Sequence, residues 1–355
     1  MSVLFDNTIF NIQFIFMKRI IICADGTWNK PEVDLDKDFP TNVLKFSRAI
    51  EPVDGNGVIQ TVFYDWGIGS YHSGAAGGAL GAGLDKNIKD AYRFIVHNYN
   101  VGDELFFFGF SRGAYTVRSL CGLINNCSIL KKENANLINA AFDLYKNSKY
   151  YVSHPKSLAF RKENSLSNST PIKFVGVWDT VGSMGLPTSI FGFIKPKNLF
   201  YDNKIGSIIE TARHALSIDE IRKDFEPTIW EQDKLNKVDL KQVWFAGNHS
   251  DVGGSYKPDR DGRVLSEIPM LWMKKEAELQ KLKFQKHIDV KTNALAKKHN
   301  EQKKFYKLLG KHERPILAET PIHISVKERF EKNTSYRPTK LVEYVNEFGW
   351  NNLEK

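Results

Sequence analysis

The chain has 355 residues, of which 42% are hydrophobic and 26% charged, a balance typical of a soluble globular protein. No run of 18 or more apolar residues occurs, which argues against a membrane-spanning helix. The three cysteines, Cys23, Cys121 and Cys127, suggest neither a disulfide framework nor a zinc site, so we expect buried thiols in a reducing compartment.

The formal net charge of +9 is concentrated in one segment. Residues 271–315 hold 13 Lys and Arg against five Asp and Glu. A solvated helical surface would explain this excess, and so would peripheral contact with anionic phospholipid headgroups. No nucleic-acid-binding motif accompanies the charge, so nucleic acid is not an expected partner.

Strands alternate with helices along most of the chain. The predicted strands are 19–24, 58–64, 103–108, 173–178, 212–218 and 243–246, and the clearest predicted helices are 43–50, 84–99, 114–124 and 265–282. Continuous apolar, β-branched runs such as 19–24 are typical of strands buried on both faces. The pattern predicts an α/β protein of the α/β-hydrolase type, with a mostly parallel central sheet and helices on both faces.

The chain divides into three predicted parts. Residues 1–16 are too polar for a signal peptide and read as a disordered or upstream extension, with Met17 as the expected start. Residues 17–275 form the predicted catalytic domain, and residues 276–355 a basic, partly helical C-terminal appendage. We expect a cytoplasmic protein.

Polar side chains follow the predicted strands where each strand ends, namely Asp25, Ser111, Asp179, Asp219 and His249. In open α/β sheets, function gathers at the carboxyl ends of the strands. The strongest motif there is Gly-Phe-Ser-Arg-Gly at 109–113, which follows an apolar strand and precedes a helix. A tight strand-to-helix turn exposes a serine hydroxyl, so this context predicts Ser111 as a nucleophile.

Glycines on both sides, Gly109 and Gly113, relieve crowding in this turn. The oxyanion hole of an acyl-transfer site needs two backbone N–H groups. One is expected from Arg112, directly after the nucleophile, and the other from Gly26 or Thr27 in an early loop.

The base should follow the serine, because this fold orders its triad as serine, acid and histidine. His214 and His249 are the candidates, and His249 is preferred because small residues flank it, as in a mobile catalytic loop. His214 is interpreted as a buried structural histidine. The acid that orients the imidazole is Asp219 as first choice, since its strand is nearer to His249 in sequence, and Asp179 as second.

Two further aspartates have supporting roles in this prediction. Asp25 should pin the early loop through side-chain hydrogen bonds. Asp251, two residues after His249, should brace the loop that carries the base.

Seven motifs in order resemble the catalytic domain of the type VI secretion lipase effectors of the first class, over roughly residues 18–275. They are 25–29, 41–43, 83–88, 109–115, 178–182, 214–220 and 249–254. The resemblance implies a carboxylic ester hydrolase acting on glycerophospholipids, without a cofactor, and delivery into target cells without a signal peptide. We expect this chain to be without the long membrane-docking domain of the larger effectors.

Three other functions compete with this prediction. Asp25, Asp251 and His249 could instead bind a metal ion in a metal-dependent hydrolase. Glycines 74–83 suggest a dinucleotide site, but their spacing does not fit. A catalytically inactive module that binds membrane surfaces through the basic segment is the third.

Overall fold

The computed structural model describes residues 17–26, 29, 31–34, 36–67, 78–181, 204–233, 235–301, 311–318 and 320–355. The extension predicted at 1–16 lies outside the described residues. So do Thr27 and residues 302–310 of the basic segment.

One parallel sheet organises the part of the chain that the structure describes. Its strands are β1 (Arg19–Ala24), β2 (Gln60–Asp65), β3 (Glu104–Phe110), β4 (Ile172–Trp178), β5 (Ile209–Ser217), β6 (Asp239–Phe245), β7 (Ile322–His323) and β8 (Leu353–Glu354). Within these residues the order is β2-β1-β3-β4-β5-β6-β7-β8, and each neighbouring pair is parallel. The predicted α/β class is confirmed.

Helices cover both faces of the sheet. They are α1 (Asn42–Ala49), α2 (Gly78–Asn98), α3 (Arg112–Cys127), α4 (Ile138–Lys146), α5 (Pro155–Asn164), α6 (His249–Gly253), α7 (Glu267–Leu279), α8 (Ile324–Lys332) and α9 (Thr339–Phe348), with short 3₁₀ turns at Lys132–Leu137, Lys223–Phe225 and Lys286–Ile288. Apolar residues of α1, α6, α7, α8 and α9 share one core, and those of α2, α3 and α4 share the other.

The sequence of β1 shows why this strand is buried on both sides. Ile21 and Cys23 belong to the core that contains α1, whereas Ile20 and Ile22 belong to the core that contains α2 and α3. All four side chains are fully buried. Burying an isoleucine contributes about 1.5–3 kcal/mol, so this run strongly favours a central position in the sheet.

The described residues after 275 pack together with the rest of the sheet. β7 pairs with β6 and β8 pairs with β7, so this part extends the same sheet. Val326, Leu341 and Tyr344 lie in the same core as β4 and β6. The sequence-based division at 275 therefore cuts through one hydrophobic core.

The strand order reverses between β1 and β3. From β1 the chain moves outward to β2, then returns to the other side of β1 with β3 and continues in that direction. Loops leave the carboxyl ends of β1 and β3 in opposite directions, which opens a crevice between them. Asp25 and Ser111 follow these two strands, so the topology places the predicted nucleophile at the crevice.

Candidate active site

Ser111 stands in a sharp turn between β3 and α3. Its backbone angles, φ 57° and ψ −121°, lie where a non-glycine residue is rarely found. The helix packs tightly against the strands here, since a Cβ atom on Gly113 would lie 2.0 Å from the carbonyl oxygen of Ala24. A Cβ atom on Gly109 would lie 2.6 Å from the backbone of Ala114. The glycines thus allow the turn that a serine nucleophile requires.

Two neighbouring strand ends meet Ser111. Its backbone N–H donates to the carbonyl oxygen of Trp178 over 3.1 Å, one residue before Asp179. On the other side, a Cβ atom on Gly26 would lie 3.1 Å from the Ser111 Cβ. The loop after β1 therefore lies against the serine and can approach so closely because residue 26 is glycine.

His249 begins α6 rather than lying in a mobile loop. A capping box holds this short helix, because Asn248 accepts backbone N–H groups and the Asp251 carboxylate accepts the Asn248 N–H over 3.1 Å. The imidazole lies between the rings of Phe110 and Phe225, with centroid distances of 4.6 and 5.0 Å. Packing therefore fixes the ring beside the residue that precedes the predicted nucleophile.

The far side of the imidazole meets a carboxylate at the end of β4. His249 Nδ1 and Asp179 Oδ2 are 2.6 Å apart, and both side chains are buried. Burial alone would raise the pKa of Asp179, but the charge of Arg314 and the bond to His249 hold it well below its usual range. An ionised carboxylate only accepts hydrogen bonds, so Nδ1 carries the proton and Nε2 is left as the basic nitrogen.

Burial also lowers the pKa of His249 below its ordinary value. The hydrogen bond and charge of Asp179 act in the opposite direction, and so does Glu220, whereas Arg222 lowers the pKa further. The lowered pKa of His249 favours the neutral imidazole, which is able to accept a proton.

Asp219, the first choice for the acid, is engaged elsewhere. Its Oδ2 accepts the Gly247 N–H over 2.6 Å and the Tyr336 hydroxyl over 2.9 Å. Its Oδ1 pairs with Lys298 at 2.9 Å. Asp179, and not Asp219, therefore contacts the imidazole, because Asp219 ties β5 to the loop before His249.

Arg314 was not singled out from sequence, although it contacts Asp179 with both nitrogens of its fork. Nη1 lies 2.7 Å from Oδ1 and Nη2 lies 3.1 Å from Oδ2. Nη1 also donates to the carbonyl oxygen of Ser217 over 3.0 Å, and Nη2 donates to that of Phe225. No motif marks this arginine, which lies in the basic segment 135 residues after its partner.

The predicted oxyanion donors have different surroundings. Arg112 is the first residue of α3, where backbone N–H groups and the helix dipole favour negative charge. The Gly26 N–H instead donates to its neighbour Asp25 over 2.7 Å, so it is already engaged. Thr27, the remaining predicted donor, lies outside the described residues.

Asp25 lies at the centre of a small hydrogen-bond network. Its Oδ2 accepts the hydroxyls of Thr41 and Tyr64 over 2.6 and 2.9 Å. Burial raises the pKa of Asp25 to about 6, although these bonds act in the opposite direction. The network connects the loop after β1 to α1 and to β2.

Asp251 connects α6 to the basic segment. Besides the Asn248 N–H, its carboxylate accepts the backbone N–H of His299 over 2.9 Å and contacts Nδ1 of His299 at 2.8 Å. The ring of Tyr256 stacks on that histidine, with centroids 3.8 Å apart.

His214 lies inside β5 and is fully buried. Its Nε2 accepts the Thr180 N–H over 3.2 Å, and burial lowers its pKa to about 3. It therefore supports the turn that carries Asp179, whose φ of 39° is unusual for a non-glycine residue.

The three aspartate and histidine side chains proposed as alternative metal ligands do not converge. Asp25, Asp251 and His249 bind Thr41, His299 and Asp179 respectively. Among the described residues, no group of three or more His, Cys, Asp or Glu could hold an ion. No helix in this part of the chain is long and apolar enough to cross a bilayer.

The parallel sheet with its serine turn defines a protein of the α/β-hydrolase type. Residues 18–276 match the family described as the type VI secretion system phospholipase effector Tle1-like catalytic domain. The chain belongs to this family, which confirms the resemblance seen in its ordered motifs.

Two individual proteins are also similar to this chain. The uncharacterized protein YEL023C of Saccharomyces cerevisiae is 29% identical over 232 residues, which are 59% of this chain and 32% of that protein. A crystal structure of an uncharacterized protein from Pseudomonas aeruginosa matches with a TM-score of 0.44 and 16% identity, over 78% of this chain and 48% of that one. The chain therefore spans less than half the length of either.

Proposed function

We propose that this chain is a serine hydrolase that cleaves the carboxylic esters of glycerophospholipids through Ser111, His249 and Asp179. The observation that carries the proposal is the buried pair of His249 Nδ1 and Asp179 Oδ2, 2.6 Å apart, at the sheet edge that also holds the strained Ser111 turn. A histidine oriented by an ionised carboxylate is what a serine hydroxyl needs for activation.

The first half-reaction forms an acyl-enzyme. Ser111 Oγ attacks the ester carbonyl carbon while its proton passes to Nε2 of His249. Negative charge develops on the carbonyl oxygen, where the Arg112 N–H and the amino end of α3 stabilise it. When the tetrahedral intermediate collapses, His249 returns the proton to the leaving alkoxide, which departs as an alcohol.

The second half-reaction releases the acid. Water attacks the acyl-enzyme carbonyl and gives a proton to His249, which then returns it to Ser111 Oγ as the carboxylic acid leaves. Asp179 stays ionised throughout and stabilises the imidazolium that forms in each half-reaction.

The phospholipid substrate and the route of delivery rest on family membership. A phospholipase effector acts on lipid esters, so we propose a glycerophospholipid as substrate and delivery into target cells by a secretion system. The ester cleavage proposed for Ser111 does not depend on the identity of the lipid or on the route of delivery.

Replacing Ser111 by alanine tests the proposal. Loss of a triad member lowers turnover by roughly 10⁴-fold or more, so Ser111→Ala should abolish hydrolysis of p-nitrophenyl esters and of phospholipid vesicles. Ser119→Ala, at a buried serine two turns further along α3, is the matched control and should keep wild-type activity.

A fluorophosphonate probe distinguishes this mechanism from the alternatives. The wild-type protein should be labelled at Ser111, and a chelator should not change labelling or turnover. Near-wild-type turnover by folded Ser111→Ala would rule out the mechanism. Complete absence of labelling and turnover in the wild type would favour an inactive binding module.

A further inference from the structure

Three acids at the catalytic edge of the sheet receive partners from the part of the chain after residue 275. Lys298 pairs with Asp219, and His299 contacts Asp251. Arg314 pairs with Asp179, the carboxylate that contacts His249. Arg314 lies beyond residue 276, where the family match ends.

We propose that Arg314 is a positioning residue, which holds Asp179 as a carboxylate oriented toward His249. This inference rests on the proposed serine hydrolase function and adds a fourth side chain to its machinery. Arg314 acts through Asp179 and does not itself contact the reacting atoms.

The contacts of the guanidinium leave Asp179 little freedom. Each carboxylate oxygen accepts a hydrogen bond from an Arg314 nitrogen, and Oδ1 also accepts one from the backbone N–H of Ser217 over 3.0 Å. Bidentate pairs of this kind fix the plane of a carboxylate as well as its distance. Oδ2 is consequently held at the position from which it meets Nδ1 of His249.

The same guanidinium also holds the wall of the imidazole site. Its Nη2 donates to the carbonyl oxygen of Phe225, whose ring packs edge-on against His249 at a centroid distance of 5.0 Å. Thus one buried side chain fixes both the acid and an aromatic contact of the base.

Charge gives the second part of the argument. Asp179 is completely buried, and a buried carboxylate without a cation is strongly destabilised. His249 is charged only when it is protonated, whereas a guanidinium is always charged, so Arg314 is a permanent cation in contact with this carboxylate. Glu220 and Arg222 also lie near His249, but they form an ion pair with each other. His214 lies near Asp179 and contacts Gln242.

Removing the cation should change how the pair of Asp179 and His249 binds protons. In the wild-type protein, a proton on the pair adds positive charge close to the Arg314 guanidinium, which lowers the pKa of the pair. Without Arg314 this repulsion is lost, so the pair binds its proton more tightly and its pKa rises. The protonated pair cannot act as the base. The acid limb of the pH profile should therefore move to higher pH, whichever residue holds the proton.

The experiment uses the whole 355-residue chain with p-nitrophenyl butyrate as substrate. Arg314→Met should lower kcat by about 100-fold, the scale expected for a small misplacement of a catalytic group, with KM little changed. The acid limb of its kcat/KM profile should rise by about one pH unit. Arg314→Lys keeps the charge but not the fork, so it should shift the limb less while still lowering kcat.

Arg213→Met is the matched control. Arg213 is equally buried and pairs with Glu276 at 2.5 Å, but it lies within β5, four residues before its carboxyl end. Its loss should lower stability without moving the pH profile, so it measures the effect of removing a buried arginine alone.

Wild-type kcat and an unmoved acid limb in folded Arg314→Met would overturn the proposal. If Arg314→Met does not fold, Arg314→Lys decides, and a wild-type kcat in that variant would overturn it equally. These results differ from a failure of the proposed function, in which the wild-type protein itself would neither hydrolyse the ester nor react with a fluorophosphonate at Ser111.

Discussion

Asp179 and Asp219 end adjacent strands, but they have different neighbours. The Asp179 carboxylate lies between a guanidinium and an imidazole, whereas the Asp219 carboxylate joins backbone, tyrosine and lysine groups around the loop before His249. The first arrangement can orient a base. The second stabilises a loop.

Asparagine substitutions separate these two roles. Asp179→Asn keeps the shape but presents an amide to Nδ1 and removes the charge that stabilises the imidazolium, so kcat should fall by about 10⁴-fold. Asp219→Asn should keep most of the turnover and lose about 1–3 kcal/mol of stability, as expected when a partly buried acceptor loses its charge and some of its hydrogen bonds. Steady-state kinetics and urea denaturation of both variants provide the test, and equal losses of kcat would contradict the assignment of Asp179.

The sequence allowed the nucleophile and the base to be proposed, but not the order of the acids. Motif and strand context single out Ser111, and position after the last clear strand singles out His249. The choice of acid depends on the direction in which each carboxylate points after its strand. A hydrogen bond from Gly247 orients Asp219, and hydrogen bonds from Arg314 orient Asp179. Those partners are distant in sequence, and no local pattern reveals them.

At the scale of elements, the junction of β3 and α3 is a tight contact beside the proposed nucleophile. The first turn of α3 lies against the backbone of Ala24 and Asp25 at the end of β1, and this close contact is possible because residue 113 is glycine. This contact aligns the amino end of α3 with the crevice between β1 and β3. The geometry of the site therefore depends on a position with no side chain, Gly113.

Gly113→Ala should be strongly destabilising, because the added Cβ would lie 2.0 Å from the Ala24 carbonyl oxygen and backbone must move to accommodate it. Overpacking costs about 1–3 kcal/mol where side chains can adjust, and we expect at least that here. Gly55→Ala is the control, since a Cβ atom there meets nothing within 4 Å and should change stability by less than about 0.5 kcal/mol. Equal urea midpoints for the two variants would show that the junction is not as tight as described.

Long apolar strands and long helices were predictable, whereas short elements were not. The strands β1, β3 and β4 are apolar runs, and α3 follows a recognisable motif. By contrast, β7 and β8 contain two residues each and α6 contains five, too few to display a period. The two short strands β7 and β8 join the end of the chain to the sheet, which is why an appendage was predicted where the sheet continues.

At the scale of the whole molecule, the cationic side chains of the C-terminal part lie in two kinds of surroundings among the described residues. Arg314 and Lys298 are held in ion pairs at the catalytic edge of the sheet. Lys286, Lys291 and Lys297 are exposed and lie in the same part of the chain. Only exposed lysines of this kind can contribute to binding an anionic surface, so net charge alone overstates the attraction.

We expect the protein to bind vesicles containing anionic phospholipid better than neutral vesicles. Each lysine near an anionic leaflet contributes about 1 kcal/mol, so changing Lys286, Lys291 and Lys297 together to glutamine should weaken binding by up to about 100-fold. The attraction should fade in high salt, because the Debye length shortens to about 3 Å at 1 M. Turnover of a soluble ester should not change.

The matched control changes Lys132, Lys149 and Lys162 to glutamine, which removes the same amount of charge. These lysines are exposed and lie in the part of the chain that packs on the other face of the sheet. Cosedimentation that is equal for both vesicle types in low salt, or weakened equally by both triple variants, would mean that the basic segment is an ordinary solvated surface.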